Sequence, residues 1–331
     1  MKKRVLALIL ALLLIPAAIL AITPAKAAEK NWNVTCTELP QAALTYYNGF
    51  SNTVDEMKAM SGSALISYLE TALNGKSTSY GNQRNLFVNS DADVTVSGNI
   101  LLFFSAASVN GTWDSGSTYN REHVWAKSKG GGNAENDLHH IRPTNPRTNS
   151  IHGNYDYGTV DRTKSYNTWT ETGGQTQGAV TGYYGISTYN DKTCWEPSDE
   201  FKGDTARILA YVYVQFYSDC QSYFSSVVDS YKTLLEWNAA DPVDEWEMAR
   251  NNYVQTLQNN RNIFIDYPEL MWTIFDQEIP AGLTTPSGGT GNPTSEPTAE
   301  PTAEPTPEPT AEPTDEPTAE PTADPTSEPT A

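Results

Sequence analysis

Positive charge is scarce in this chain of 331 residues, which carries 21 Lys and Arg against 40 Asp and Glu and a formal net charge of −19. That excludes the simplest nucleic-acid reading, a basic protein held to phosphate by its overall field, so any such contact must be local. Cysteine is nearly absent, with Cys36, Cys194 and Cys220 the whole set. An odd count permits at most one internal bridge, and neither Cys-x-x-Cys nor His-Glu-x-x-His occurs, which removes the commonest zinc spacings. Beyond residue 22 no second apolar run reaches membrane-spanning length. What is present is 38% hydrophobic residues, with 18 Tyr and 8 Trp, enough to bury a core.

Both ends differ in composition from the middle. Lys2, Lys3 and Arg4 precede an apolar run from Val5 to Ile22, and Ala25-Lys26-Ala27 follows, so residues 1–27 read as a cleaved signal peptide. An uncleaved anchor is the alternative, but Pro16 and the Ala-rich end favour cleavage. The mature protein is expected to be secreted, with association to the cell surface through its tail left open. That tail, residues 280–331, passes from Thr-Pro-Ser-Gly-Gly into repeats of the type Glu-Pro-Thr-Ala. It reads as a disordered linker or stalk, whose roughly 40 repeat residues could reach on the order of 120 Å in polyproline-II geometry at about 3.1 Å each. The sequence does not identify its cell-wall or surface partner. Between the ends lies one expected domain, 28–279. Setting aside four basic residues before position 28 and ten acidic residues in the tail leaves 17 basic against 30 acidic residues, a net charge of −13. In an oxidising compartment Cys194 with Cys220 is the expected bridge, and three unpaired buried thiols are the alternative.

Within the domain the fold class reads as α+β, with helices outnumbering short strands. Leu65, Leu69 and Leu73 predict a helix closed by a left-handed stop at Asn74-Gly75. Val94 and Val96, followed by Ile100 through Phe104, predict a strand pair around Gly98. After residue 200 the apolar spacing is helical, Asp244 with Glu247 resembles a capping box, and Pro268 marks a final helix. The aromatic residues at helical spacing are read as packing.

All four histidines, His123, His139, His140 and His152, fall in a window of 30 residues. Asn120 to Lys127, then Gly130-Gly131-Gly132, then Asp137 to Pro143, then a polar segment through Asn154, predict a hairpin followed by a helix. Any one of these histidines alone would more often be a satisfied core residue; the cluster favours chemistry. Adjacent His139 and His140 would point to opposite faces of a strand, which disfavours a shared zinc ion. A hard cation such as Mg²⁺ needs only one or two protein oxygens, and Glu122 and Asn149 can supply them. His123, neutral beside such an ion, is the candidate to draw a proton from water.

The strings Arg121-Glu122-His123-Val124-Trp125, Asp137 through Pro143 and Asn149 through Asn154 resemble the endonuclease I family of secreted bacterial nucleases, within the ββα-metal (His-Me finger) group. Lys202 to Arg207, Asp241 to Asp244 and Asn260 to Asp266 extend the resemblance across most of residues 40–276. It implies a ββα-metal core embedded in a mainly helical single domain. His123 would be the general base, Glu122 and Asn149 the ligands of one Mg²⁺ (Mn²⁺ or Ca²⁺ as alternatives), and the product would bear a 5′-phosphate. Arg142 would either neutralise a phosphate oxygen or pair with Asp137 as an ordinary strand residue. This chain departs from the family at Ala126, where proline is usual, at His152, where arginine is usual, and in having no Arg between Ala126 and Asn136. Lys127 and Lys129 are the cations there. Because Glu122 and His123 are adjacent, the assignment requires the strand to end or twist at that pair.

Residues 120–164 hold seven basic and five acidic residues, a balance of +2 within an acidic domain. That balance only removes an objection; the histidine cluster with its flanking ligand residues and the family resemblance make the expected function a Mg²⁺-dependent endonuclease acting on DNA, with RNA as a further substrate left open. It is expected to lack sequence preference because phosphate and sugar contacts carry little sequence information. The competing class is a noncatalytic surface-binding or adhesion module displayed on its stalk.

Overall fold

Short helices come first among the residues that the computed structural model describes, 31–171 and 179–288. The expected signal peptide and the repeats of the tail lie outside the described residues. Four helices come first: α1 (Gln41–Tyr47), α2 (Val54–Lys58), α3 (Gly62–Ala72) and α4 (Tyr80–Ser90). α2 begins where the Thr53 side chain accepts from the Glu56 amide and Glu56 reaches back to the Thr53 amide, a reciprocal cap that satisfies two otherwise orphaned donors. The leucines of α3 are buried as their spacing predicts, but neither Asn74 nor Gly75 has positive φ. Gly75 is required for another reason: a Cβ there would stand 2.6 Å from the Gln258 carbonyl oxygen.

The strands are short and lie mostly in the middle third of the sequence. β1 (Asn99–Leu101) pairs antiparallel with β2 (Ser108–Asn110), so the partner of the Ile100 segment lies after it. Val94 and Val96 are instead exposed residues of the preceding turn. β3 (Asn120–His123) and β4 (Ile141–Thr144) form a second antiparallel pair, followed at once by α5 (Pro146–His152). A four-stranded sheet in the order β5-β8-β7-β6 comes next, from β5 (Asp156–Tyr157), β6 (Tyr166–Thr170), β7 (Val180–Ile186) and β8 (Thr193–Pro197).

The remaining elements are helices. They are α6 (Lys202–Gln215), α7 (Tyr217–Cys220), α8 (Tyr231–Ala240), α9 (Glu245–Gln258), α10 (Ile263–Asp266) and α11 (Leu270–Ile274). α6 runs through the centre, with residues 203–212 all buried, and packs on α3, α8 and α10. A helix apolar or paired on every side must be interior, and its two buried charged residues are matched: Arg207 donates from Nε to Glu247 Oε1 at 2.8 Å and lies 3.6 Å from the Asp204 carboxylate. Asp244 caps α9 by accepting from the Glu247 amide at 2.8 Å, while the Glu247 carboxylate is committed to Arg207. Asn259 ends α9 in the left-handed conformation, φ 58°. Packing continues past residue 279, since Leu283 and Thr285 are buried.

Cys194 and Cys220 do not bridge. Cys194 lies in β8, against the Gly158 backbone, whereas the Cys220 sulfur contacts the Gly130 carbonyl at 3.7 Å, so the thiols are packed into separate surroundings. Among the described residues no helix is long and apolar enough to cross a membrane.

Candidate active site

The β3–β4 pair and α5 form a ββα unit whose geometry starts from local signals. Gly130, at φ +84°, lets the connection between the strands reverse direction. Asn145 caps α5 by accepting from the Arg147 amide at 2.8 Å, and Pro146 occupies the first turn, where its missing N–H costs nothing. The cap fixes where the helix begins and hence that Asn149, one turn on, sits beside β3. Its Nδ2 lies 3.5 Å from the Arg121 carbonyl oxygen, a distance too long to hold the amide firmly.

Glu122, His123 and Asn149 line a single cleft of about 360 Å³, together with Lys127, Gly153 and Asn154. The strand resolves the conflict between neighbouring side chains by ending at His123, so Glu122 and His123 both reach the cleft. An adhesion surface gives no reason for these three to converge.

The Glu122 carboxylate is 2% exposed, and its Oε1 accepts from His152 Nδ1 at 2.8 Å. Neither its Oε2 nor the Asn149 Oδ1 has a hydrogen-bond partner among the described residues, leaving two hard oxygens uncommitted at one cleft. No cluster of three or more His, Cys, Asp or Glu suited to a closed metal cage occurs among the described residues. Two oxygens and open space fit a hard divalent cation that retains most of its water, and do not fit structural zinc.

His123 is half-buried, with its ring 5.1 Å from that of Tyr80 and 5.7 Å from that of His140. Burial first, then the neighbouring His140, Lys127 and Arg121, push its pKa down to about 3. Its Nε2 is buried without a partner, so Nδ1 is the nitrogen open to the cleft. With the proton on Nε2, the Nδ1 lone pair is free to accept one.

The other histidines are structural. His140 accepts the Trp125 amide at Nε2 and places Nδ1 3.0 Å from the Ala134 carbonyl, tying both sides of the interstrand loop together. Burial lowers its pKa, and pushes that of His139, beside the Asn260 carbonyl, down to about 4. In the sequence His152 stands out as a member of the histidine cluster and as a substitution for the usual arginine, with no role of its own. Its position three residues after Asn149, one helical turn away, is the signal that it shares that residue's face.

Arg142 is not in the cleft. It is 2% exposed, donates from Nε to Asp91 Oδ1 at 3.0 Å, and lies over the rings of Phe103 and Trp246 at 4.4 and 4.8 Å. Its carboxylate partners are Asp91 and, at 3.9 Å, Asp204, and not Asp137, and no phosphate can reach a guanidinium enclosed this way. Of the cations in the interstrand connection, Lys127 lines the cleft while ion-paired with Glu135, and Lys129 is held by Asp156 at 2.8 Å.

Residues 61–269 match the family described as Endonuclease I, and residues 285–331 match the PT disordered repeat. An extracellular ribonuclease of Bacillus amyloliquefaciens is 34% identical over 244 residues, covering 68% of this chain and 76% of the relative. An extracellular ribonuclease of Bacillus subtilis (strain 168) is 33% identical over 244 residues, with the same coverage. The chain belongs to the endonuclease I family.

Proposed function

We propose that the mature protein, beginning near residue 28, is a secreted endonuclease that hydrolyses phosphodiester bonds of DNA and RNA without sequence preference. The observation that carries this reading is the convergence of Glu122, His123 and Asn149 on one cleft. The extracellular ribonuclease names of the two Bacillus relatives support both the exported location and the inclusion of RNA.

Glu122 and Asn149 would hold one divalent cation, Mg²⁺ foremost, with Mn²⁺ or Ca²⁺ compatible with the same oxygens. Such an ion would supply positive charge beside the scissile phosphate and lower the pKa of its water, which would be a proton source for the leaving 3′ oxygen. His123 takes a proton at Nδ1 from the attacking water, and its low pKa keeps it neutral and ready for that step. His152 holds one Glu122 oxygen in place so that the other faces the cleft. Lys127 is the Lys or Arg side chain that lines the cleft and would face the phosphate there. Breaking the P–O3′ bond leaves a 5′-phosphate.

The test is cleavage of plasmid DNA and of single-stranded RNA by the purified mature protein, with and without EDTA, and by His123→Ala. EDTA and the substitution should each abolish most cutting. Undiminished cutting by His123→Ala would remove His123 as the base.

A further inference from the structure

α5 presents two faces. Asn149 lines the Glu122–His123 cleft and His152, on the same flank, holds the Glu122 carboxylate, while Arg147, Ser150 and Ile151, at the complementary spacing of three and four, belong to the other flank. There Ser150 and Ile151 form one wall of a separate cavity of about 390 Å³, whose other walls are Tyr155, Asn167, Trp169 and Tyr184. The β6–β7 register explains the arrangement: Asn167 lies opposite Tyr184, and Trp169 is two residues along the same face.

Packing alone does not account for this cavity. Tyr155 is 41% exposed although its ring meets that of Tyr184 edge to face at 4.6 Å. The Trp169 Nε1 has no hydrogen-bond partner, and the exposed Asn167 amide has none among the described residues. The Arg147 guanidinium lies 5.1 Å from the Trp169 ring centroid, exposed and with no carboxylate partner among the described residues. Three aromatic rings, a free side-chain amide and a cation with no carboxylate partner form a combination that takes a planar heterocycle attached to a phosphate.

We infer that this cavity is a nucleobase subsite, holding one unpaired base of the strand whose phosphate lies in the Glu122–His123–Asn149 cleft. The two sites flank one helix, about 10–12 Å across with its side chains, so they can be reached by a single strand that passes over α5. A base inside a duplex is stacked and paired and cannot enter, so the subsite favours single-stranded nucleic acid. Arg147 neutralises the phosphate attached to the captured base. The inference rests on the nuclease reading for its second half, the coupling of base capture to cleavage.

The test compares wild type, Tyr155→Ala, Tyr155→Phe and Arg147→Ala. Exposed Tyr155 can be truncated without opening the core, and Tyr155→Phe keeps the ring. Rates are measured on a single-stranded oligonucleotide and on duplex DNA, and binding of a labelled short oligothymidylate to His123→Ala protein in EDTA is read by fluorescence anisotropy. Tyr155→Ala should lower the ratio of single-stranded to duplex kcat/KM about tenfold and weaken oligothymidylate binding by a similar factor. Tyr155→Phe should restore both, and Arg147→Ala should reduce binding and its salt dependence. An unchanged ratio with unchanged binding overturns the subsite while leaving the nuclease intact. If wild type cuts neither substrate the nuclease reading falls, and the binding arm alone then decides for or against the subsite.

Discussion

His152 Nδ1 stands 2.8 Å from Glu122 Oε1, with the two side chains 1% and 2% exposed. One carboxylate oxygen is therefore spent inside the protein and the other is left for the cleft. The imidazole is in turn braced by Tyr157, at 4.6 Å between ring centroids, and by Trp195 at 5.8 Å. Replacing His152 by Phe keeps the ring packing and removes the donor. Divalent-cation affinity should fall about 10–100-fold, as is usual when an outer partner of a ligating carboxylate is lost. Calorimetric titration with Mn²⁺ checks this, and His152→Gln, which can donate again, should recover part of the loss.

Arg142 gives the opposite expectation. Its substitution by Met breaks a buried pair with Asp91, although Arg250 also donates to Asp91 at 3.1 Å and will retain part of the interaction. Stability should drop by about 3 kcal/mol or somewhat more, while kcat of the folded fraction stays within about twofold. Urea unfolding and active-fraction kinetics separate the two effects. A large fall in kcat with native stability would show that the guanidinium reaches substrate after all.

Buried neutral histidines also make the fold sensitive to acid. His139 and His140 have pKa values lowered by burial, that of His139 to about 4, so the unfolded chain takes up protons first as the pH falls below about 6.5. Their contribution to stability is complete above that pH and is lost on acidification towards the folded pKa, at up to about 1.4 kcal/mol per pH unit for each. Asp241, raised to about 6 by burial, works the other way because its folded form keeps the proton. The histidine effect is therefore read as a difference: the stability gap between wild type and His139→Gln should be widest at pH 7 and shrink as pH falls from 6.5 towards 4. A gap that stays constant over that range would mean His139 is not held neutral.

Much of the site was legible because its signals are local. The four histidines, the glycine turn and the polar segment after Pro143 put two strands and a helix in order, and Glu122, His123 and Asn149 were identifiable within them. Arg142 was not legible, since its partner Asp91 lies 51 residues earlier in the chain and only tertiary packing decides which carboxylate a buried guanidinium meets. The same holds for β1, whose alternating neighbours Val94 and Val96 carry a strand pattern yet lie in a turn, and for Cys194 and Cys220, which sequence could only count. The β6–β7 hairpin went unassigned because its Tyr, Thr and Gly residues alternate weakly, although its aromatic face forms the second cavity beside α5.

The acid limb of the rate profile follows from His123. A base already neutral in the folded protein, with its pKa near 3, does not switch off as the pH passes through 6.5. With metal saturating at each pH, kcat should therefore show no protonic loss between pH 7.5 and 6, which are values about an ordinary histidine pKa. A tenfold drop per unit across that interval would place the working base elsewhere or show that substrate raises its pKa.

Single-turnover cleavage of a labelled oligonucleotide at saturating Mg²⁺, comparing wild type with His123→Ala after calorimetry has shown equal metal binding, tests the catalytic centre most directly. If His123 is the base at a Glu122–Asn149 metal cleft, the rate constant should fall by about 10²–10⁴ with metal affinity retained. A rate constant that stays the same, with metal bound equally well, would contradict the assignment of hydrolysis to this cleft.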